Sequence, residues 1–165
     1  MNHSCDEPKE DLFDVSPYLK LSIDKDGRWF QNGAEIVHPE IYSHFCRALE
    51  KTSDGEYRVR IEKEICRVHV EDAPFVVVGI SLDPGGELII HLNDGSEEPL
   101  DPNKIWIGRD NVPYSKVKKG AFHARFSRPA YYRLAERIVE DKSGRSYSLE
   151  LKGRRYPIRI VDQAT

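Results

Sequence analysis

The stretch YRVRIEKEICRVHVEDAPFVVVGISLDPGGELIIHL, residues 57–92, decides the fold. Tyr57, Val59 and Ile61 alternate with Arg58 and Arg60, and Ile65 to Val70 resumes a strand after Glu62-Lys63-Glu64. A period of two sends successive side chains to opposite faces of a strand. Ala73-Pro74 interrupts, since proline cannot donate to a ladder. Phe75 to Ile80 is then apolar on both faces, as in a strand with neighbours on each side, and Asp83-Pro84-Gly85-Gly86 turns the chain into Glu87 to Leu92. These linkers are short, whereas a parallel crossover needs roughly a dozen residues or more, so the runs pair as hairpins. That argues against a Rossmann-like sheet.

Upstream, Leu19 to Ile23, a turn at Asp24-Lys25-Asp26-Gly27, Arg28-Trp29-Phe30 and a tight turn at Asn32-Gly33 read as a small meander. His38-Pro39 opens a helix whose Ile41, Tyr42, Phe45, Cys46 and Leu49 share one face and which Ser53-Asp54-Gly55 ends. Downstream, Ile105-Trp106-Ile107, Pro113-Tyr114 and Val117 to Phe126 are strand-like. Ser127-Arg128-Pro129 opens a second helix with Tyr131, Leu134, Ala135 and Ile138 as its buried stripe. Ser143-Gly144 ends it, and Tyr147 to Leu151 and Tyr156 to Val161 close the chain. The fold class expected is α+β, mostly antiparallel sheets with two short helices.

HPEIYSHFCRALEKTSDGEYRV (38–59) lies without a gap over RPAYYRLAERIVEDKSGRSYSL (128–149), an offset of 90. Pro39 meets Pro129, Arg47 meets Arg137, and Tyr57 meets Tyr147, while the turn glycines fall one position out of step. Two explanations stand: an internal duplication giving two related lobes, or a local pattern that recurs because physics favours it. The expected organisation is an acidic N-terminal arm over 1–16, anchored at most around Leu12, Phe13 and Val15, then an α+β lobe over 17–80 and a basic-biased α+β lobe over 81–165.

A chain of 165 residues with 39% apolar content can bury one substantial core without disulfides or metal. Its longest apolar run, Phe75 to Ile80, is far short of the roughly 20 residues that span a bilayer. The start, MNHSCDEPKEDLFD, is acidic where a secretory signal is basic and then apolar, so a cytoplasmic location is expected. Cys5, Cys46 and Cys66 are too few and scattered for a disulfide framework. The net charge of −3 hides a segregation. Residues 1–110 hold 12 Lys and Arg against 23 Asp and Glu, net −11; residues 111–165 hold 13 against 5, net +8.

Candidate chemistry sits in two places. Arg67, His69 and Glu71 share one strand face with Asp72 just beyond, a row that could hold a polar ligand or serve as a surface ion pair ordering the bend. The basic stretch holds Lys116, Lys118, Lys119, Arg125, Arg128 and Arg133, with Phe122, Phe126, Tyr131 and Tyr132 interleaved, which suits a phosphate backbone or another anion. Cys66-x-x-His69 has zinc-like spacing, but on a strand the two point to opposite faces, and no metal or cofactor is expected. There is no G-x-S-x-G elbow and no P-loop.

IDKDGRWFQNG (23–33), RVHVEDAPF (67–75) and PYSKVKKGAFHARFSRPAYYRL (113–134) resemble a family of uncharacterised bacterial proteins catalogued as a domain of unknown function, the "twelve eighty-five" type. The resemblance runs over about residues 20–158 and rests on Asp26, Gly27, Trp29, Phe30, Gly33, Glu64, Arg67, the EDAPF segment, Pro113, Tyr114, Gly120, Arg125, Tyr131 and Tyr132. Ile65, Cys66 and Leu151-Lys152 depart from the family pattern. The resemblance implies an α+β fold and no activity. The expectation for function is a non-catalytic binding or regulatory protein, monomer or homodimer, whose partner is another protein or a small anionic ligand and not a membrane. The alternatives are an enzyme acting on a small polar or anionic substrate, and nucleic-acid or nucleotide binding through 116–133. An enzyme would need at least two of His69, Glu71, Asp72, His123 and Arg125 together in a deep pocket.

Overall fold

Proline, glycine and the change from period 3.6 to period two set the element boundaries in a computed structural model that describes residues 11–161. Most of the expected arm, residues 1–10, lies outside the described residues. Two compact units form: one runs to Ser22 and takes Trp29–His69, and the other takes Ile23–Arg28 and the chain from Val70 onward.

The first unit contains β1 (Phe13–Asp14), β2 (Leu21–Ile23), β3 (Trp29–Gln31), β4 (Ala34–Glu35), α1 (Pro39–Ala48), β5 (Leu49–Lys51), β6 (Tyr57–Ile61) and β7 (Glu64–Val70), save the last residues of β2 and β7, which belong to the other. Its sheet runs β4-β3-β2-β7-β6-β5, and β1 pairs with β7 in parallel, Phe13 opposite Glu64. Trp29 is fully buried and stacks on Phe45 of α1 with ring centroids 5.6 Å apart. Leu21, Cys46, Val59, Cys66 and Val68 complete this core.

The second unit contains β8 (Phe75–Leu82), β9 (Leu88–Leu92), β10 (Glu97–Pro99), β11 (Ile105–Ile107), β12 (Pro113–Val117), β13 (Phe122–Phe126), α2 (Arg128–Ala135), β14 (Ile138–Glu140), β15 (Tyr147–Leu151) and β16 (Arg154–Ile160). Its sheet runs β10-β9-β8-β13-β12-β11-β16-β15-β14. Neighbours pair antiparallel except β13 with β8 and β11 with β16. Phe75, Val77, Ile90, Leu92, Val117, Phe126, Leu134 and Leu149 form the core. Ser127 caps α2, its hydroxyl accepting the Ala130 N–H at 3.4 Å.

The fold is therefore α+β, largely antiparallel and built of two related lobes. The path β4-β3-β2-β7-β6-β5 reappears as β13-β12-β11-β16-β15-β14, each with its helix before the last three strands. Tyr57 opposite Val68 becomes Tyr147 opposite Ile158, the same register ninety residues on. The preceding hairpin pairs Leu49 with Val59 in one copy and Ile138 with Leu149 in the other, a slip of one residue that accounts for the out-of-step glycines. The second copy adds β8, β9 and β10 along β13.

Both helices end sooner than their apolar spacing predicts. Leu49 and Ile138 begin strands instead of closing a helical stripe, and Ile41 is exposed. Each satisfies its backbone in a new hairpin, Leu49 against Val59 and Ile138 against Leu149, and pairing of this kind overrides local helix propensity. In α2 the buried residues are Ala130 and Leu134, with Tyr131 and Ala135 only half-buried.

Candidate functional site

The meander β11-β12-β13 puts two kinds of residue on its two faces. Ile105, Ile107, Pro113, Ser115, Val117, Ala124 and Phe126 are buried. Trp106, Tyr114, Lys116, His123 and Arg125 alternate with them on the other face. Register sets Trp106 opposite Tyr114, Tyr114 opposite Arg125, and Lys116 opposite His123. Trp106 and Tyr114 stack with centroids 5.7 Å apart and planes 12° from parallel, and His123 lies against both rings.

Asp72 reaches this face from the link between β7 and β8. Its carboxylate accepts the Tyr114 hydroxyl at 2.9 and 3.0 Å and a guanidinium N–H of Arg125 at 3.0 Å. The Asp72–Arg125 pair is partly screened, each side chain being 28% exposed, so its value lies in orientation more than in stability. Above the rings the hairpin loop closes down: a β-carbon on Gly108 would lie 2.9 Å from Cε2 of Tyr114, and Asp110 and Asn111 both take the left-handed conformation that Asp and Asn tolerate best. The result is a cleft of about 540 Å³ lined by Asp72, Trp106, Arg109, Tyr114, His123 and Arg125. Beyond residues 110–113 an adjoining hollow of about 580 Å³ is lined by Arg125, Arg128, Tyr131 and Tyr132.

Burial, and then the hydrogen bond and charge of Asp72, push the Tyr114 hydroxyl up to about 12, partly offset by Arg125. Because the folded value lies above the ordinary 10.0, the stabilisation from this group is complete below pH 10 and is lost as pH rises through about 12. Followed by phenolate absorbance, the folded protein should show a tyrosine step near pH 12 that is missing from Tyr114→Phe. Identical titrations of the two proteins would sink the assignment.

The residues singled out in the sequence separate. Asp72 and Arg125 meet in the cleft, His123 lines it, and Arg128 lines the adjoining hollow. Lys116 is exposed on the same sheet face. Lys118 faces elsewhere: its ammonium binds Asp94 at 2.6 Å and Ser96 at 2.8 Å and lies over the Phe75 ring, and its N–H donates to Glu98. Burial would raise the Asp94 carboxyl, but the hydrogen bonds from Lys118 and Ser96 hold it below its ordinary value. Arg67 and His69 stand exposed on β7 in the first unit and do not line the cleft, while Glu71 accepts the Lys25 N–H at 3.0 Å. Cys66 is buried, donating to the Leu19 carbonyl, and so lies on the face opposite His69.

Sequence reasoning missed Trp106, Tyr114 and Arg109 as site residues. The available signal was the alternation of Trp106 with Ile105 and Ile107, which leaves its ring on the uncovered face. One further constellation is present: the Ser81 hydroxyl is 2.8 Å from Nε2 of His91, whose Nδ1 is 3.3 Å from Glu97. It has nucleophile–base–acid spacing, but Glu97 is 66% exposed and the three residues line none of the clefts described above. Among the described residues no group of three or more His, Cys, Asp or Glu converges as a metal site, and no helix is long and apolar enough to cross a membrane.

The structure superimposes on that of a DUF1285 family protein from Silicibacter pomeroyi DSS-3 with a TM-score of 0.72, over 87% of this chain and 81% of that one, at 23% identity. The chain has the DUF1285 fold. A DUF1285 family protein from Shewanella baltica OS155 matches with a TM-score of 0.60, over 73% of this chain and 94% of that one, also at 23% identity. These matches bear out the resemblance carried by the EDAPF segment and its flanks. No family model and no curated protein matches the chain.

Proposed function

We propose that this is a non-catalytic binding or regulatory protein of the bacterial cytoplasm, and that it takes a small polar, anionic ligand in the cleft over Trp106, Tyr114, His123 and Arg125. The observation that carries this reading is the fixed guanidinium. Arg125 spends one N–H on Asp72 and keeps further donors in its planar fork, in a cleft of about 540 Å³, within the volume range of small-molecule sites. Asp72, His123 and Arg125 do share the cleft, as an enzyme would need, but binding is favoured because both Asp72 oxygens are engaged with Tyr114 and because the Ser81–His91–Glu97 set lies on an open sheet face.

The test is thermal unfolding against a panel of small carboxylates, phosphates and nucleotides. A ligand at a hundred times its Kd adds about 2.7 kcal/mol, which in a chain of this size raises the midpoint by roughly 5–10 °C. Arg125→Ala should abolish that rise, and Asp72→Asn should reduce it. A ligand that shifts Arg125→Ala as much as the parent overturns the site. Turnover of any bound ligand would favour the enzyme alternative, and a shift given only by oligonucleotides would favour nucleic acid.

A further inference from the structure

We propose that a second site, beside the first cleft, takes a phosphorylated planar ring, its ring stacked on the free face of Trp106 and its phosphate held by Lys104, Lys116 and Arg159. This goes beyond the reading above and shares only Trp106 with it. β11 lies between β12 and β16, with Trp106 in register with Tyr114 on one side and Arg159 on the other. Tyr114 stacks on one face of the indole, so the other face turns toward β16. There the structure leaves a slot of about 270 Å³, lined by Asn103, Lys104, Trp106, Lys116, Pro157 and Arg159.

The slot is cationic, and among the described residues Lys104 alone of its three cations has a carboxylate within 4 Å. Extending the register that pairs Ile105 with Ser115 sets Lys104 opposite Lys116, and no Asp or Glu lines the space. The nearest carboxylate to Lys104 is that of Asp101 at 3.8 Å, and both side chains are nearly half exposed. Lys116 and Arg159 have no ion-pair partner among the described residues. Elsewhere in this unit Lys118, Arg125, Lys152 and Arg155 each have a carboxylate within 4 Å. Three cations beside an aromatic plate combine charge-assisted hydrogen bonds to phosphate with stacking of a ring.

The other lobe shows that this is not a general feature of the repeat. The Glu71 N–H donates to the Ile23 carbonyl as the Val161 N–H donates to that of Ile107, which aligns β2 with β11 and β7 with β16. On that alignment Ser22 stands where Trp106 does and His69 where Arg159 does. Phe30 opposite Glu35 replaces Tyr114 opposite Arg125. The first sheet thus lacks both the aromatic plate and the flanking arginines.

Isothermal calorimetry with adenosine monophosphate, adenosine, flavin mononucleotide, riboflavin and inorganic phosphate, at two salt concentrations, tests the proposal. At least one phosphorylated ring should bind about tenfold or more tighter than its dephosphorylated form, with affinity falling as salt rises. Lys116→Ala and Arg159→Ala should each remove most of that difference without changing the unfolding midpoint, both side chains being exposed. Trp106→Ala should weaken phosphorylated and unphosphorylated rings alike, by about 10- to 100-fold. The adenosine and flavin arms separate nucleotide from flavin as the source of the ring. Equal binding with and without phosphate, inorganic phosphate binding as tightly as the best ring, or no binding by any probe at millimolar concentration each overturns the proposal. Loss of binding in Arg125→Ala with none in Lys116→Ala or Arg159→Ala would overturn it while leaving the first cleft standing; the converse would overturn the first cleft alone.

Discussion

Phe75→Ala is expected to lower stability by about 3–5 kcal/mol, the cost of deleting a buried aromatic side chain from a core that only partly collapses around the cavity. Phe75 is 2% exposed, opens β8, and lies opposite Ala124 in the parallel pairing that joins β8 to β13. Its ring meets Phe122 edge-on at 5.3 Å and carries the Lys118 ammonium 5.2 Å from its centroid. The substitution therefore removes the aromatic pair and the cation's platform together. Thermal unfolding should show a midpoint lowered by on the order of 10–20 °C, with Phe75→Leu losing well under half as much. A midpoint within a few degrees of the parent would show that Phe75 is not the keystone of that strand pair. Because β13 carries His123 and Arg125, the alanine variant should also weaken whatever the cleft binds.

Gly27→Ala carries the second large effect, from two sources that can be separated. At φ +79° any β-carbon costs about 1–2 kcal/mol. Here the added methyl would also lie 2.9 Å from Cγ2 of Val76 and 2.9 Å from Nδ2 of Asn93. Neither can retreat easily: Val76 is buried, and Asn93 is fixed by the Val76 N–H donating to its Oδ1 at 2.9 Å. Overpacking of this kind adds about 1–3 kcal/mol, for an expected total of about 2–5 kcal/mol. Gly95 is the control, with φ +87° and open space around its missing β-carbon. Urea unfolding should show Gly27→Ala losing clearly more than Gly95→Ala. Equal losses would mean that only the backbone conformation matters and that the turn does not pack against β8.

Asp72 and Arg125 were visible in the sequence, 53 positions apart, in two separate stretches and together in the set an enzyme would need. Nothing local to either stretch said which members of that set would meet. The row Arg67, His69 and Glu71 was read as a ligand row or a surface ion pair; Arg67 and His69 stand exposed on β7, and the corresponding position in the other lobe is that of Arg159, in register with Trp106. Lys118 was indistinguishable from Lys116 by type and neighbourhood. The turn at Lys118-Lys119-Gly120, left-handed at all three positions, decides that one lysine is consumed by Asp94 and the other is not.

The sequence by itself determined the α+β class, the hairpin-dominated sheet and the proline-led helix starts, because each depends on residues close together along the chain; it showed an echo at an offset of ninety but not that the echo marks two lobes. It could not determine where the helices stop, since Leu49 and Ile138 leave their helical stripes for pairings whose worth depends on the partner strand. Nor could it yield the parallel pairings of the second sheet, β13 with β8 and β11 with β16, which join segments separated by whole hairpins or a helix. Those pairings depend on closure of long loops and on burial of the opposite face, quantities with no local trace. The β11–β16 pairing sets Arg159 beside Trp106, at the end of a row that the local hairpins carry through Tyr114 to Arg125, and so only the tertiary structure completes the candidate site.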